Sequence, residues 1–177
     1  MRLTADQSCL LVIDIQQRLA PATRDPDGVV RNTAILLAAA RRLGVPSLTS
    51  EQYPRGLGPT LDTVPKADAV VEKISFSCAG EPAWMDRFRA FGRGQAVVCG
   101  MEAHVCVLQT VLDLLAQGTR VFVVADAVTS RRDDSKAVAL DRMAREGAVI
   151  VTTEMVVFEW LARADVPAFR ELSALIK

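Results

Sequence analysis

The sequence between residues 97 and 106 reads Val97-Val98-Cys99-Gly100-Met101-Glu102-Ala103-His104-Val105-Cys106. An apolar run typical of a buried strand ends at Gly100, and Cys106 follows where a helix is expected to begin. Backbone N–H groups at the start of a helix favour a thiolate over a thiol, and the thiolate is the nucleophilic form. The pattern predicts a strand, a sharp turn and a helix, with Cys106 as a candidate nucleophile. A free cysteine can also pack as a small apolar residue, so other residues must decide between the two interpretations.

Two other strand-like segments end on an ionisable side chain. Asp14 closes the apolar run at residues 9–13, and Lys73 closes the run at residues 69–72. A carboxylate in a buried position is costly unless it is paired or used in chemistry. The carboxyl ends of parallel strands lie along one edge of a sheet, and ligands bind in the crevice beside them. We therefore expect Asp14, Lys73 and Cys106 to converge on one pocket, although they are far apart in the sequence.

Short apolar runs alternate with longer helical patterns along the chain, which indicates an α/β fold with a parallel sheet covered by helices on both faces. The six predicted strands cover residues 9–14, 46–49, 69–73, 95–100, 120–125 and 149–152. Helices are predicted at 34–43, at 105–116, from a capping box at Ser130 and Asp133 through Met143, and from an opening at residues 165–167. The many Pro and Gly residues within 51–68 predict a pocket loop. A chain of 177 residues suits one domain, which we place at 1–177.

The composition excludes several classes of partner. Lys plus Arg equals Asp plus Glu at 21 each, so no net charge attracts nucleic acid or an anionic membrane. No apolar stretch approaches the roughly 20 residues that span a bilayer, and residues 1–8 lack the features of a secretory signal. We therefore expect a cytoplasmic protein whose four cysteines are reduced. No Gly-x-Gly-x-x-Gly fingerprint is present, and no nucleotide or redox cofactor is expected.

These segments resemble the isochorismatase-like cysteine hydrolase family, and the resemblance is closest to its isochorismatase-domain-containing subgroup. The matching motifs are Val-Ile-Asp-Ile-Gln around Asp14, Glu-Lys-Ile-Ser-Phe-Ser around Lys73, Glu-Gln-Tyr-Pro-Arg-Gly-Leu-Gly-Pro-Thr from Glu51, and Gly-Met-Glu-Ala-His-Val-Cys-Val around Cys106. The resemblance covers essentially the whole chain and implies a Rossmann-like three-layer α/β/α fold and a homo-oligomer, a dimer or larger. It also implies an Asp14, Lys73 and Cys106 catalytic set. The implied oxyanion donors are the backbone N–H groups of Glu102 and Cys106, and a cis peptide bond is implied between Met101 and Glu102.

The chemistry assigns a role to each member of this set. Asp14 is the expected general base, Lys73 the partner of both negative charges, and Cys106 the nucleophile, its pKa lowered by the helix terminus and the cation. His104, two residues earlier on the same turn, is expected to point away from the sulfur. Cys78 is either a small buried residue or a redox partner of Cys106.

The expected substrate is a small molecule with an amide-type C–N bond. The pocket is predicted to be lined by Gln16, Tyr53, Phe76 and Ser77, because these residues adjoin the catalytic strand ends; packing in the core or in a loop is the alternative for each. Arg131 and Arg132 are interpreted as a solvated face or a subunit contact. The chain departs from the nicotinamidase branch, which places an Asp and histidines after the second strand, so no metal is expected. Three alternatives remain: an oligomeric interaction protein with little turnover, an isochorismate-type ether hydrolase, and a redox-active thiol protein.

Overall fold

A computed structural model describes residues 2–176, and within this range six strands form one parallel sheet. The strands are β1 (Ser8–Ile13), β2 (Ser47–Gln52), β3 (Ala69–Lys73), β4 (Gln95–Met101), β5 (Arg120–Thr129) and β6 (Val149–Val151). Their order across the sheet is β3-β2-β1-β4-β5-β6, and every neighbouring pair is parallel. This is the Rossmann-type order, so the predicted fold class is confirmed.

Two strands extend by several residues beyond their predicted ends. β2 continues to Gln52 because its polar residues 50–52 pair with residues 71–73 of β3, although they carry no apolar pattern. β5 continues to Thr129, and its register against β4 shifts between Val98 and Gly100 of that strand. Backbone pairing therefore extends the sheet at the edge where the site residues lie.

Helices cover both faces of the sheet. They are α1 (Pro26–Leu43), α2 (Pro54–Leu57), α3 (Pro82–Ala90), α4 (Leu108–Ala116), α5 (Asp133–Arg145), α6 (Thr153–Leu161) and α7 (Phe169–Ala174). Residues from α1, α6 and α7 pack on one face of the sheet, and residues from α3, α4 and α5 pack on the other. The central strand β1 is fully buried and contributes alternate side chains to the two cores. None of the helices within residues 2–176 has the length and apolar character needed to cross a membrane.

Four helix starts differ from the sequence prediction, and one of them is that of α4, which begins at Leu108 instead of residue 105 because a π turn at Ala103–Val107 precedes it. α1 begins eight residues earlier than expected, at Pro26, because the Asp25 carboxylate accepts a hydrogen bond from the Gly28 N–H and caps the helix. The capping box at Ser130 is wrong: α5 begins at Asp133, and the Ser130 hydroxyl instead contacts His104 Nδ1 at 3.0 Å. The last helix begins at Phe169, two residues after the predicted Pro167 start.

Gly100 brings the two central strands unusually close together. Its φ is +135°, and a Cβ at this position would lie 2.0 Å from the backbone oxygen of Ile13. Only glycine fits such an approach. The turn after β4 is therefore held directly against the end of β1, at the point where the strand order reverses and where open parallel sheets bind ligands.

Candidate active site

Asp14 follows β1 in a left-handed backbone conformation, with φ +51°. Asp is one of the few non-glycine residues that tolerate this region, and such strain is concentrated at functional sites. The side chain is completely buried, and its Oδ1 accepts a 2.8 Å hydrogen bond from the Ser50 hydroxyl. Its Oδ2 faces the Lys73 ammonium at 2.9 Å without a well-aligned hydrogen bond, so this oxygen retains capacity for a proton.

Lys73 ends β3 and turns its ammonium group into the interior. The Nζ atom donates to three oxygens: Gln52 Oε1 at 2.6 Å, Phe76 O at 3.0 Å and Ser75 O at 3.2 Å. These contacts match the three N–H donors of an ammonium group. Burial acts to lower the pKa of Lys73, but the Asp14 carboxylate raises it above its ordinary value. The side chain therefore remains a cation.

Cys106 lies in a π-helical turn, Ala103–Val107, that leads directly into α4. The Glu102 carbonyl accepts hydrogen bonds from the Val105 N–H at 3.0 Å and the Val107 N–H at 3.3 Å, which widens the turn. Single π turns of this kind occur frequently at functional sites. The predicted order of strand, turn and helix is confirmed, and only 4% of the Cys106 surface is exposed.

The three side chains predicted to converge do meet in this buried space. Lys73 Nζ lies 2.9 Å from Asp14 Oδ2, and Gln52 Oε1, which accepts a hydrogen bond from Lys73, lies 4.0 Å from Cys106 Sγ. Burial raises the pKa of Asp14, an effect that Lys73 opposes. Burial, and then the Asp14 charge, also raises the pKa of the Cys106 thiol. Lys73 lowers this pKa as predicted, but burial and the Asp14 charge outweigh it, so the predicted net lowering of the pKa is not found and the resting site holds a thiol beside a base.

Gln52 is a member of the site that the sequence prediction missed. Its Oε1 accepts from Lys73 and lies 4.0 Å from Cys106 Sγ, while its Nε2 donates to the Ile74 carbonyl at 2.7 Å. Gln52 sits at the end of β2, in a segment interpreted as loop. Its position beside Lys73 follows from the parallel register of β2 and β3, which no local pattern indicates.

The four residues predicted to line the pocket have different surroundings. Gln16 is buried, and its side-chain amide bonds the backbone of Gln52 and the Gly58 carbonyl. The Ser77 hydroxyl is also occupied, since it donates to Asp113 Oδ2 at 2.6 Å and accepts from the Ala79 N–H. Tyr53 and Phe76 follow β2 and β3, and both side chains are about half exposed, at 51% and 55%. Apolar surface is therefore available next to the buried polar site.

The turn between β4 and Cys106 corrects another expectation. The peptide bond between Met101 and Glu102 is trans, as are all described peptide bonds, so the cis bond implied by the family resemblance is not found. His104 Nδ1 contacts Ser130 Oγ at 3.0 Å and Glu102 Oε2 at 3.2 Å. These partners follow β4 and β5, which agrees with a histidine that does not serve the sulfur.

The four cysteines are all free and buried. Cys78 belongs to the same apolar core as Cys106, and burial raises its pKa to about 11. Its backbone N–H donates to Thr110 Oγ1 at 2.9 Å, and the Thr110 hydroxyl donates to the Cys106 carbonyl at 2.7 Å. In the described part of the chain, no group of three or more His, Cys, Asp or Glu side chains is arranged to hold a metal ion.

Comparison with known proteins identifies consistent relatives. The isochorismatase domain model matches residues 8–155. The chain is 38% identical over 180 residues to isochorismatase domain-containing protein 2 of Danio rerio, covering 99% of this chain and 89% of that protein. It is 38% identical over 166 residues to isochorismatase domain-containing protein 1 of Salmo salar, covering 93% of this chain and 59% of that protein. The solved structure of the MAR1 ribonuclease from Caenorhabditis elegans has a TM-score of 0.93 and 34% identity, covering 99% of this chain and 92% of that chain.

Proposed function

Because the chain belongs to the isochorismatase family, we propose that it is a cysteine hydrolase that cleaves an amide-type C–N bond of a small molecule through a thioester on Cys106. The observation that carries the proposal is the meeting of Asp14, Lys73 and Cys106 in one buried space. Covalent acyl transfer uses a nucleophile, a base near the nucleophile's proton, and a third group that holds the base. The domain is proposed to extend over residues 1–177.

In the first half of the proposed reaction, Asp14 takes the thiol proton while the sulfur of Cys106 attacks the amide carbonyl carbon. The S–C bond forms, and the carbonyl electron pair moves onto oxygen. The proposed donors to this oxyanion are the backbone N–H groups of Glu102 and Cys106. Asp14 then returns the proton to the nitrogen, the C–N bond breaks and an amine or ammonia leaves.

In the second half, water hydrolyses the thioester. Asp14 takes a proton from the water as its oxygen attacks the acyl carbon, and the C–S bond breaks. The proton then passes to the sulfur, which regenerates the resting thiol. The raised pKa of Asp14 suits this role, because a stronger base takes a proton from the thiol or from water more readily. The only co-reactant in this cycle is water, so we propose no cofactor.

The surroundings suggest how a substrate is held. We propose that Tyr53 and Phe76 contact its apolar part, because their half-exposed side chains follow the strands that carry Gln52 and Lys73. Gln16 and Ser77 are proposed to shape the pocket through the backbone and side-chain groups that they already bind. We also propose a cytoplasmic location and no nucleic-acid or membrane partner, on the basis of the balanced charge. An assembly of two or more copies is proposed from the family resemblance.

Mass spectrometry after exposure to a library of small amides tests the proposal. We expect an acyl-sized mass increase on Cys106 in the wild-type protein and none in Cys106→Ala. Cys99→Ala is the matched control, because Cys99 is a buried cysteine whose side chain belongs to the opposite core, and it should retain the adduct. Turnover that persists unchanged in Cys106→Ala would remove the nucleophile assignment.

A further inference from the structure

The Glu102 carboxylate is buried at the base of the turn that carries Cys106, with only 4% of its side chain exposed. Its Oε1 accepts from Arg131 Nε at 2.9 Å, and its Oε2 accepts from the Arg131 backbone N–H at 3.3 Å. A buried carboxylate is costly without such partners. Arg131, interpreted as part of a solvated face or a subunit contact, has 59% of its side chain exposed, and its guanidinium group also binds Glu102.

His104 and Ser130 also belong to this cluster. His104 Nδ1 lies 3.2 Å from Glu102 Oε2 and 3.0 Å from the hydroxyl oxygen of Ser130, the residue before Arg131. Side chains of the turn after β4 thus bind the two residues that follow β5. The backbone carbonyl of Glu102 meanwhile accepts the N–H bonds that form the π turn. One residue therefore fixes both the shape of the turn and its position relative to the sheet.

We propose that Glu102 and Arg131 form a positioning pair that holds the backbone N–H groups of the turn where the tetrahedral oxyanion develops. This inference rests on the proposed function, and neither side chain is assigned a contact with the substrate. Oxyanion donors act only when they are aimed at the position that the oxygen occupies in the transition state. A displacement of about 1 Å at a reacting centre can cost about 100-fold in rate. Loosening the pair should therefore weaken stabilisation of the oxyanion while leaving the Cys106 sulfur in place.

Two reagents separate these effects on Cys106. Propionaldehyde adds to a thiol: the S–C bond forms, the carbonyl electron pair moves to oxygen and the thiol proton is transferred to that oxygen, which mimics the tetrahedral intermediate. Iodoacetamide alkylates sulfur: the S–C bond forms, iodide leaves and the thiol proton passes to solvent, so no oxyanion forms at the reacting carbon. The ratio of the two reactions thus reports on the oxyanion donors rather than on the thiol itself.

The test compares Arg131→Met with Arg132→Met in the full-length protein. Arg131 is the first choice because its exposed side chain can be shortened without opening the core. Arg132 is the matched control, since its equally exposed guanidinium pairs with Asp134 instead. For Arg131→Met we expect kcat on an amide from the library, and propionaldehyde affinity, each to fall about tenfold, with KM and the alkylation rate within twofold of wild type. Arg132→Met should match wild type in all four measurements.

Glu102→Gln provides a second variant, since it keeps the shape of the side chain but replaces one acceptor oxygen. It should lower aldehyde affinity selectively, as Arg131→Met does. Aldehyde affinity within twofold of wild type in both variants would overturn the inference, and so would an equal loss of aldehyde binding and alkylation. If the wild-type protein forms no acyl adduct and turns over no amide, the proposed function fails, yet the ratio of aldehyde affinity to alkylation still decides whether the pair positions the turn.

Discussion

Removing the positive charge of Lys73 should destabilise the protein far more than the loss of an ordinary ion pair. In Lys73→Met the apolar stem is retained, but the Asp14 carboxylate is left buried without its cation. Both side chains are fully buried and lie 2.9 Å apart. At an effective dielectric constant of about 20, charges at this distance attract each other by about 6 kcal/mol, against which desolvation must be set. Breaking such a pair from one side typically costs about 3–5 kcal/mol, and this is the loss of unfolding free energy that we expect.

The neutral variant of the partner should behave differently. In Asp14→Asn the Lys73 ammonium keeps its three oxygen acceptors, so the expected loss is smaller, about 1–3 kcal/mol. The double variant Asp14→Asn with Lys73→Met contains no unpaired charge and should be more stable than Lys73→Met alone. Urea unfolding, compared at equal m-values, measures all three variants. A loss below about 1 kcal/mol for Lys73→Met would refute the reasoning, because that is the value of a solvated surface pair.

The size of this stability difference also depends on pH. Burial raises the pKa of Asp14 above its ordinary value of 3.8, and removal of Lys73 leaves burial without its main opposing influence. A group with a raised folded-state pKa contributes most stability below its unfolded pKa and loses that contribution as pH rises through the folded value. The difference between wild type and Lys73→Met should therefore be largest at neutral pH and should narrow as the pH falls towards 4. A difference that widens on acidification would contradict this assignment.

Three further predictions concern the thiol and the sheet. Asp14→Asn should shift the pH dependence of the Cys106 alkylation rate to lower pH, because the Asp14 charge raises the thiol pKa. Mass spectrometry across a pH series measures the shift, and a shift to higher pH would contradict the prediction. Gln52→Glu places a carboxylate near the sulfur and should move the profile to higher pH, whereas Gln52→Leu, its uncharged control, should not reproduce that move. Gly100→Ala should lower the free energy of unfolding by more than about 4 kcal/mol or prevent folding, because its Cβ would lie 2.0 Å from a backbone atom. Gly118→Ala is the control: this residue also has a positive φ but lies in open space, so the loss should be about 1–2 kcal/mol. Urea unfolding measures both losses. Equal costs for the two glycines would argue against the close approach of β1 and β4.

The convergence of Asp14, Lys73 and Cys106 was predictable because, in a parallel sheet, a residue's position at the end of a strand in the sequence also gives its position at one edge of the sheet. Each residue ends or follows an apolar run, and all parallel strands deliver their carboxyl ends to the same edge. The six-stranded fold follows from the same alternation of strands and helices. Neither prediction depends on the exact ends of the elements, which is why both were unaffected by the longer β2 and β5.

Contacts that depend on tertiary register were not predictable. Gln52 joins Lys73 because β2 pairs with β3 beyond the end of its apolar pattern. Arg131 meets Glu102 because β4 and β5 are neighbours and end at similar heights. The direction of the Cys106 pKa shift also differs from the expectation, because the sequence shows a nearby helix start but not the burial that outweighs it. Local patterns thus identified the residues that converge but not the groups that surround them.

The charge balance of the site bears directly on how the proposed chemistry proceeds. Lys73 keeps its proton, since Asp14 raises its pKa and neutral oxygens bind its N–H groups. One mobile proton is then shared between the Asp14 carboxylate and the Cys106 sulfur, and moving it from one to the other leaves the net charge of the buried site unchanged. A low-dielectric site penalises changes in net charge much more than internal transfers. The proton can therefore move to Asp14 as the sulfur attacks, and burial, which disfavours a free thiolate, is compatible with catalysis.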